Sequence, residues 1–342
     1  MTNNPQFQRP SFKFLGRKSP LALTIGALVI TGALFTALSG FYADWLWFKS
    51  VDFTSTWSTI LGTKIFLFFV TGLLTASIVL ANVWIAYKRR PLYVSMTMES
   101  DNLERYRSQV EPIRRSLFIG GFLALFYFAG TSGSTLWSSW LLFKNSTDFG
   151  VKDPQFNMDI SFFAFRLPFW QTIIGWGIST LVLAIIASTV VHYLYGGIRL
   201  QVQEDRTTVA ARLQLSVLLG GVVLLKAVAY WFDRFALALK ESKIITGLTY
   251  TDVNAVLPAK AILAGIALVC ALLFFANIIR RSWVLPAAGT ALLVISSVLI
   301  AGLYPAAIQN FQVKPSESSK EAPFIQRNIE STRAAYGLED VT

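Results

Sequence analysis

The feature that most constrains this chain is a set of seven apolar runs, each long enough to cross the hydrocarbon core of a bilayer, which takes about 20 helical residues. Backbone polar groups inside lipid must bond within the segment, so such runs predict helices. Strands of an outer-membrane barrel would alternate in hydrophobicity over about ten residues, and these runs do not. The sequence therefore predicts an all-α polytopic transmembrane bundle of about seven spans. The predicted spans are roughly Leu21–Ala43, Ile60–Tyr87, Leu117–Trp137, Phe169–Tyr195, Leu213–Trp231, Ala261–Ile279 and Trp283–Leu303.

Composition agrees with lipid as the solvent. Of the 342 residues, 54% are hydrophobic and 14% are charged, whereas a soluble domain carries about a quarter charged residues. The chain has one cysteine, Cys270, and one histidine, His192. An intrachain disulfide is therefore impossible, and most zinc sites and Ser-His-Asp chemistry need more of these residues. We expect no cofactor and no metal.

Basic residues are distributed unevenly between the two sides of the predicted bundle. Residues 1–20 and the connections before the third, fifth and seventh spans carry sixteen Lys and Arg, against eight in the other connections. The positive-inside rule then predicts a basic cytoplasmic N-terminus over 1–20, a transmembrane domain over 21–303 and an extracytoplasmic tail over 304–342. This asymmetry accounts for most of the net charge of +11 without nucleic acid. Binding of anionic lipid to the cytoplasmic face stays open.

Two connections have features of their own. The cytoplasmic connection 88–116 is predicted to hold a short helix, with a capping box from Asp101 to Glu104 and with Pro112 limiting its far end. The external connection 138–168 is rich in aromatic residues, which predicts an amphipathic segment at the membrane interface. Three of its side chains are weak candidates for calcium ligands, because their spacing misses the EF-hand pattern. They are Asp153, Asn157 and Asp159.

The tail over 304–342 is polar. A helix is predicted from Pro323 to Tyr336, and Gly337 is suited to end it. A segment of this length cannot bury a core of its own. We expect it to be the opening of a larger external domain that this chain lacks, or else a strap on the membrane part.

Ionisable residues within or at the ends of the spans are candidate functional groups, because charge at membrane depth is costly. Lys226 and Lys64 lie inside spans near the predicted outer side, and His192 lies near the cytoplasmic end of the fourth span. Asp44 and Asp233 lie at outer boundaries, where they could pair with the lysines. The functional interpretation is a polar path or substrate site in the outer leaflet. The alternative, which we favour, is lysine snorkelling with boundary ion pairs.

Small residues recur at helical spacing in three pairs. These are Ala33 with Ala37, Gly130 with Ser134, and Gly175 with Ser179. Such pairs allow close packing inside the bundle or in a homo-oligomer. The run 130–134 lacks the lysine of a phosphate loop and is expected to be a flexible part of a span. No catalytic motif identifies the chain as an enzyme.

Several motifs resemble the UPF0182 family of uncharacterised bacterial membrane proteins. They are Ala43–Phe48, Asp153–Trp170, Tyr230–Arg234, Gly247–Pro258, Val313–Glu317, Ala322–Ile325 and Asn328–Leu338. The resemblance implies a seven-span membrane region in the bacterial plasma membrane, followed by a large extracytoplasmic domain. It brings no catalytic residues. Because the shared motifs cluster on the external side, the candidates there are Asp44, Tyr230, Asp233, Arg234, Tyr250, Asp252 and Asn254.

Two functions are consistent with these observations. The first is a membrane anchor and scaffold for an external domain in the cell envelope, with an envelope protein or a second copy as its partner. The alternative is a transporter or lipid-handling protein whose outer-leaflet cavity is shaped by Lys226 and the external aromatic connection. An enzyme whose chemistry lies in the missing domain also stays open.

Overall fold

A computed structural model describes residues 20–91, 98–199, 206–242, 245–280 and 284–338. The main helices are α1 Pro20–Ser50, α2 Thr54–Lys88, α3 Met98–Ser134, α4 Trp137–Lys144, α5 Leu167–Leu194, α6 Val209–Asp233, α7 Leu257–Arg280, α8 Val284–Ser296, α9 Tyr304–Ala307 and α10 Glu317–Ala335. Within these ranges the only extended pairing is three isolated bridges. Seven helices are long and apolar enough to cross a membrane, which confirms the predicted all-α bundle of about seven spans.

The chain divides into two compact units, Met1–Gly62 and Thr63–Thr342. In the first unit, the ring of Phe41 packs edge-on against Trp57, with 5.0 Å between ring centroids. The second unit contains the bundle from the main part of α2 onward. Large apolar side chains point away from its interior: Phe128 is 69% exposed and Ile186 is 56% exposed. An outward-facing apolar surface of this kind fits lipid better than water.

The interior of the second unit is built where four helices meet. Val79 of α2, Ala184 of α5 and Leu218 of α6 are buried together, and Leu125 of α3 packs against them. α6 lies between α5 and α7, and α7 also packs against α8. Small residues make these approaches close: a Cβ added at Gly220 of α6 would lie 2.9 Å from the ring of Phe275 in α7.

Glycines also set the approach of α3 to α2. A Cβ built at Gly133 would lie 1.9 Å from Oγ1 of Thr71, and one at Gly130 would lie 2.8 Å from Phe68. Thr71 donates across the contact to the carbonyl of Ala129 at 3.0 Å. The packing interpretation therefore holds for Gly130. Gly175, in contrast, has no atom within 4 Å of an added Cβ.

Two helices begin with the same local structure, a π-helical turn. A π-helical turn over Phe162–Arg166 leads directly into α5, and a second over Asp252–Val256 leads into α7. Each is followed by Leu and Pro, and proline is tolerated in the first turn of a helix. Such π turns are often found at functional sites. Both lie at the end of the bundle opposite the arginine-rich connections, called the outer end below.

The predicted short helix in 88–116 was wrong in its limits. α3 runs from Met98 through Asp101 and Pro112 to Ser134 without a break, so Asp101 is inside the helix and the proline does not end it. Tertiary contacts on both sides of the proline hold the helix together. Before the proline, Arg107 Nε donates to the carbonyl of Leu194 at 2.5 Å, and after it, Arg114 NH1 donates to the hydroxyl of Tyr87 in α2.

The tail helix was predicted correctly at one end and wrongly at the other. It ends where expected, with Gly337 in the left-handed region at φ +64°. It begins earlier, at Glu317 rather than Pro323, and helical turns connect it back to α8. The turn before Pro323 is held by Glu321, which is buried against the loop before α7.

These contacts predict different outcomes for two glycine substitutions. Gly133→Ala should lower the free energy of unfolding by about 1–3 kcal/mol, because the new methyl group overlaps a threonine that is fixed by two hydrogen bonds. Gly175→Ala should be neutral or stabilising by up to about 1 kcal/mol, because alanine favours helix and meets no neighbour. Thermal unfolding in one detergent measures both. Equal losses would contradict the close α2–α3 contact.

Candidate functional site

A densely bonded polar region at the outer end joins residues 240–242 and 245–256 to the tail residues 309–331. We call it the outer cluster. Asp252 lies at its centre and is fully buried. Its carboxylate accepts hydrogen bonds from Lys240 Nζ at 2.7 Å and from the hydroxyl of Thr249 at 2.8 Å. The buried charge is thus paired with a cation and bonded to a hydroxyl, as burial requires.

A capping box positions this aspartate. The backbone N–H of Asp252 donates to Thr249 Oγ1 at 3.3 Å, and the N–H of Thr249 donates to Asp252 Oδ2 at 3.2 Å. This reciprocal exchange satisfies backbone donors that the start of a helix leaves unpaired. The pattern Thr-x-x-Asp over 249–252 is visible in the sequence. It is the signal by which the start of the helical segment and the buried carboxylate could have been found.

The tail packs directly onto this capping box. The carboxylate of Glu321 accepts the backbone N–H of Tyr250 with both oxygens, at 3.0 and 3.2 Å. Thr251 Oγ1 donates to Gln309 Oε1 in a short hydrogen bond. Asn328 Nδ2 donates to the carbonyl of Thr246 at 2.7 Å. The tail therefore makes the contacts expected of a strap, using residues 71 and 82 positions beyond their partners.

Tyr250 is held from the tail on its side chain as well. Lys320 Nζ lies 4.7 Å from the centre of its ring and 3.3 Å from its hydroxyl. The ring of Phe324 meets it edge-on, with 6.4 Å between centroids. The resemblance predicted Tyr250 and Asp252 as candidates, and the structure brings them together. Residue-level reasoning missed Lys240, Gln309 and Glu321, because their roles depend on contacts between distant segments.

A cavity of about 320 Å³ lies in the outer cluster. Charged residues of both signs line it, among them Lys240, Glu317 and Glu321. Such a lining can bind a small polar group. In the described ranges, no group of three or more His, Cys, Asp or Glu residues is arranged to hold a metal.

The three weak calcium candidates belong to a tightly bonded loop before α5. Asp153 Oδ1 accepts the N–H groups of Gln155 and Phe156, at 3.0 and 2.7 Å. Asp159 accepts those of Phe149, Gly150 and Ser161, at 2.9–3.0 Å. These carboxylate oxygens therefore stabilise turns of the backbone by accepting its N–H groups. Asn157 supplies a residue in the left-handed region, at φ +53°.

The remaining outer candidates are each engaged by a neighbour. Asp233 accepts from Lys260 Nζ at 3.4 Å, so its predicted pairing with Lys226 or Lys64 was wrong. Lys226 Nζ lies 4.8 Å from the ring centre of Tyr230, and the guanidinium of Arg234 lies 4.5 Å from that of Trp231. Asn254 is exposed and donates to the carbonyl of Tyr250 at 2.9 Å.

Asp44, Lys64 and His192 lie outside the outer cluster. Asp44 belongs to the first unit and is exposed. Lys64 Nζ lies 5.5 Å from the ring centre of Trp137. Contacts of lysine with aromatic rings agree with snorkelling at the membrane interface.

His192 is 1% exposed and belongs to a polar network inside the bundle. Its Nε2 lies 3.0 Å from Oε1 of Gln214, whose amide donates to the carbonyl of Asn82 at 2.8 Å. Ser188 Oγ lies 3.4 Å from the same amide. These bonds join α2, α5 and α6. They give His192 a structural use, because hydrogen bonds between helices offset the cost of polar groups in hydrocarbon.

We expect Asp252→Ala to lower the free energy of unfolding of the outer cluster by about 1–3 kcal/mol, because it leaves Lys240 and the N–H of Thr249 without their acceptor. Asn254→Ala, two positions further along on an exposed side chain, should change it by less than about 0.5 kcal/mol. Hydrogen exchange of the Thr249 and Asp252 amides measures the difference. Similar exchange in both variants would contradict a structural role for the buried carboxylate.

Asp159 predicts a pH dependence. The hydrogen bond from the Phe149 amide, with those from Ser161 and Gly150, lowers the pKa of its carboxyl from 3.8 to about 2. A lowered pKa means that its stabilisation is complete above the unfolded pKa and is lost as the pH falls from about 4 towards 2. Exchange of the Phe149 and Gly150 amides, corrected for intrinsic rates, should accelerate over this window. The Asp159→Asn variant should show no such transition, and a transition that persists would assign it to another group.

Comparison with known proteins covers nearly the whole chain. The profile of the uncharacterised protein family UPF0182 matches residues 21–342. A UPF0182 protein of Streptomyces coelicolor is 48% identical over 94% of this chain and 33% of its own length. A UPF0182 protein of Nocardioides sp. is 44% identical over 98% of this chain and 34% of its own length. One from Thermobifida fusca is 46% identical over 94% of this chain and 32% of its own length. The chain thus spans about a third of the length of these curated relatives. No solved structure matches it.

Proposed function

Since this chain belongs to UPF0182, an uncharacterised family, we propose that it is a membrane anchor and scaffold that holds an extracytoplasmic domain at the cell envelope. The bundle supplies the anchor, and the outer cluster supplies a fixed exit for the polypeptide. The remaining two thirds of the relatives' length would supply the domain.

The observation that supports this proposal most is the fixation of the tail. From Val284 to Ala335 the chain is helical, and the apolar α8 passes through short π-helical and 3-10-helical turns into the polar α10. The polar part is then held sideways by the N–H of Tyr250, which donates to both carboxylate oxygens of Glu321. A helical segment held at a second point transmits position and orientation to whatever follows it. Free rotation about a flexible linker would not.

The tail is also held at a second point, which fixes its orientation on the bundle. Arg327 NH1 donates to Gln155 Oε1 at 3.4 Å, so the tail also contacts the loop before α5. A cavity of about 220 Å³ lies between that loop, the segment 245–248 and the tail. The tail thus rests on both outer loops that lead into π turns. This arrangement suits a platform whose upper surface is shared by several elements of the bundle.

The alternative function, transport or lipid handling at the outer leaflet, is favoured by one observation. The cavity of about 320 Å³ in the outer cluster has charged walls, and Lys240 remains 48% exposed there. Lys226, the residue first considered for this role, instead lies on the ring of Tyr230. The anchor is preferred because each carboxylate of the cluster that is buried has a protein partner.

A cross-linking experiment tests the fixation of the tail. With Cys270 replaced by Ala, Thr246→Cys and Asn328→Cys should be joined rapidly by a short thiol cross-linker, because their residues are in contact. Adding Glu321→Ala removes the charge-assisted hydrogen bond that the Tyr250 N–H shares between both carboxylate oxygens, worth about 1.5–3 kcal/mol. The released fraction of the tail should then rise at least about tenfold, and cross-linking should slow. Adding Glu317→Ala, which lines the same cavity, is the matched control. Equal rates in all three proteins would contradict a docked tail.

A cellular comparison separates the two functions in a full-length relative. If the protein is an anchor, the residue equivalent to Glu321 should matter for an envelope phenotype, and the residue equivalent to Lys226 should not. If Lys226→Ala abolishes the phenotype with expression and assembly intact, the anchor proposal fails. Expression of both variants is checked by immunoblotting of membranes.

A further inference from the structure

At the arginine-rich end of the bundle, a groove of about 580 Å³ lies between α2, α3 and α5. Apolar side chains make up most of its walls, among them Leu80, Val83 and Trp84 of α2, Leu117 and Phe118 of α3, and Val191 of α5. The groove opens to the surface of the bundle, which faces hydrocarbon if the seven helices span a bilayer. Its occupant at that depth is therefore apolar.

The groove follows from the way α2 and α3 contact each other. Towards the outer end they meet closely through Gly133 and Thr71. Towards the arginine-rich end, long side chains bridge them: Tyr87 of α2 donates to Glu111 of α3 at 2.8 Å. Tyr195, just after α5, donates to the other oxygen of Glu111 at 2.9 Å. The groove occupies the space between these two kinds of contact.

The bridged end of the groove is polar and basic. Arg114 NH1 donates to Glu111 at 2.5 Å and also to the hydroxyl of Tyr87. A polar depression of about 540 Å³, which includes Ser108, shares Arg114 and Arg115 with the apolar groove. A single continuous surface therefore offers an apolar channel and, at its end, two adjacent guanidinium groups.

Positive charge at this end exceeds what the protein itself neutralises. Residues 88–116 contain seven basic and four acidic side chains. In the part of this region that the structure describes, Arg115 makes no ion pair, and Glu111 is already shared by Arg114 and two tyrosines. The guanidinium of Arg90 lies 4.0 Å from the ring centre of Tyr87. An anion at Arg114 and Arg115 would complete the electrostatic complementarity.

We propose that this groove binds a phospholipid with an anionic headgroup, with one acyl chain between α2 and α3 and the phosphate at Arg114 and Arg115. Guanidinium groups bind phosphate oxygens in a charge-assisted and often bidentate manner. Basic pockets between helices on the side favoured by the positive-inside rule suit such headgroups. A soluble anion would use the arginines and leave the apolar channel unfilled. A neutral lipid would do the reverse.

Native mass spectrometry of the purified chain in mild detergent tests the proposal, using phosphatidylglycerol and phosphatidylcholine with the same acyl chains. The wild-type protein should bind phosphatidylglycerol more tightly. Arg115→Gln should weaken that binding about fivefold, since one basic residue near a lipid surface contributes about this factor. It should weaken the binding of phosphatidylcholine less, because the choline of that zwitterionic headgroup offsets the charge of its phosphate. Arg105→Gln, an exposed arginine on the same helix that does not line the groove, is the control and should bind as the wild type does.

A second variant tests the apolar half of the site without removing a charge. Val83→Trp places a large ring in the channel and should weaken both lipids. Equal binding of the two lipids by the wild type would overturn the proposal, and so would equal losses in Arg105→Gln and Arg115→Gln. A change in oligomeric state in Val83→Trp, measured by light scattering with lipid binding unaltered, would assign the groove to a second copy of the chain and would also overturn it.

Discussion

Carboxylates that accept backbone N–H groups hold the outer end of this protein together. Asp159 does so for the loop before α5, Asp252 for the capping box before α7, and Glu321 for the amide of Tyr250. Each satisfies donors that a helix start or a turn leaves unpaired, and an ionised acceptor makes such bonds stronger than neutral ones. The order of the outer cluster therefore depends on a few acidic residues in a chain that is strongly basic.

The arginine-rich end is organised by the opposite logic. There Glu111 is shared by two tyrosines and Arg114, and among the described residues of this end Arg115 makes no ion pair. At the outer end, carboxylates accept hydrogen bonds from backbone N–H groups, and the tail packs against this end. At the other end, the basic side chains of Arg114 and Arg115 lie beside an apolar groove. This difference is the reason why we propose an attached external domain at one end of the bundle and an anionic lipid at the other.

The fold could be predicted because hydrocarbon imposes it. Apolar runs of span length leave helices as the solution, and the seven predicted spans match the seven long apolar helices. Local sequence rules failed where tertiary contacts override them. α3 continues through Pro112 because contacts hold the helix on both sides of it. α10 begins ahead of Pro323 because Glu321 accepts a hydrogen bond from the Tyr250 amide. Of the site, Tyr250 and Asp252 were identified by resemblance. Glu321 and Lys240 could not be found, since their partners lie 71 and 12 positions away.

The polar groups inside the bundle form hydrogen bonds between helices. Gln214 bonds to both His192 and Asn82, and Asn277 bonds to Ser216, so these side chains join neighbouring helices. A mid-bundle path for ions would need polar groups with capacity left for a passing solute. Groups committed to interhelical bonds instead make the bundle rigid. A bundle joined in this way fixes the geometry of both ends, and a series of α-, π- and 3-10-helical turns connects it to the tail at the outer cluster.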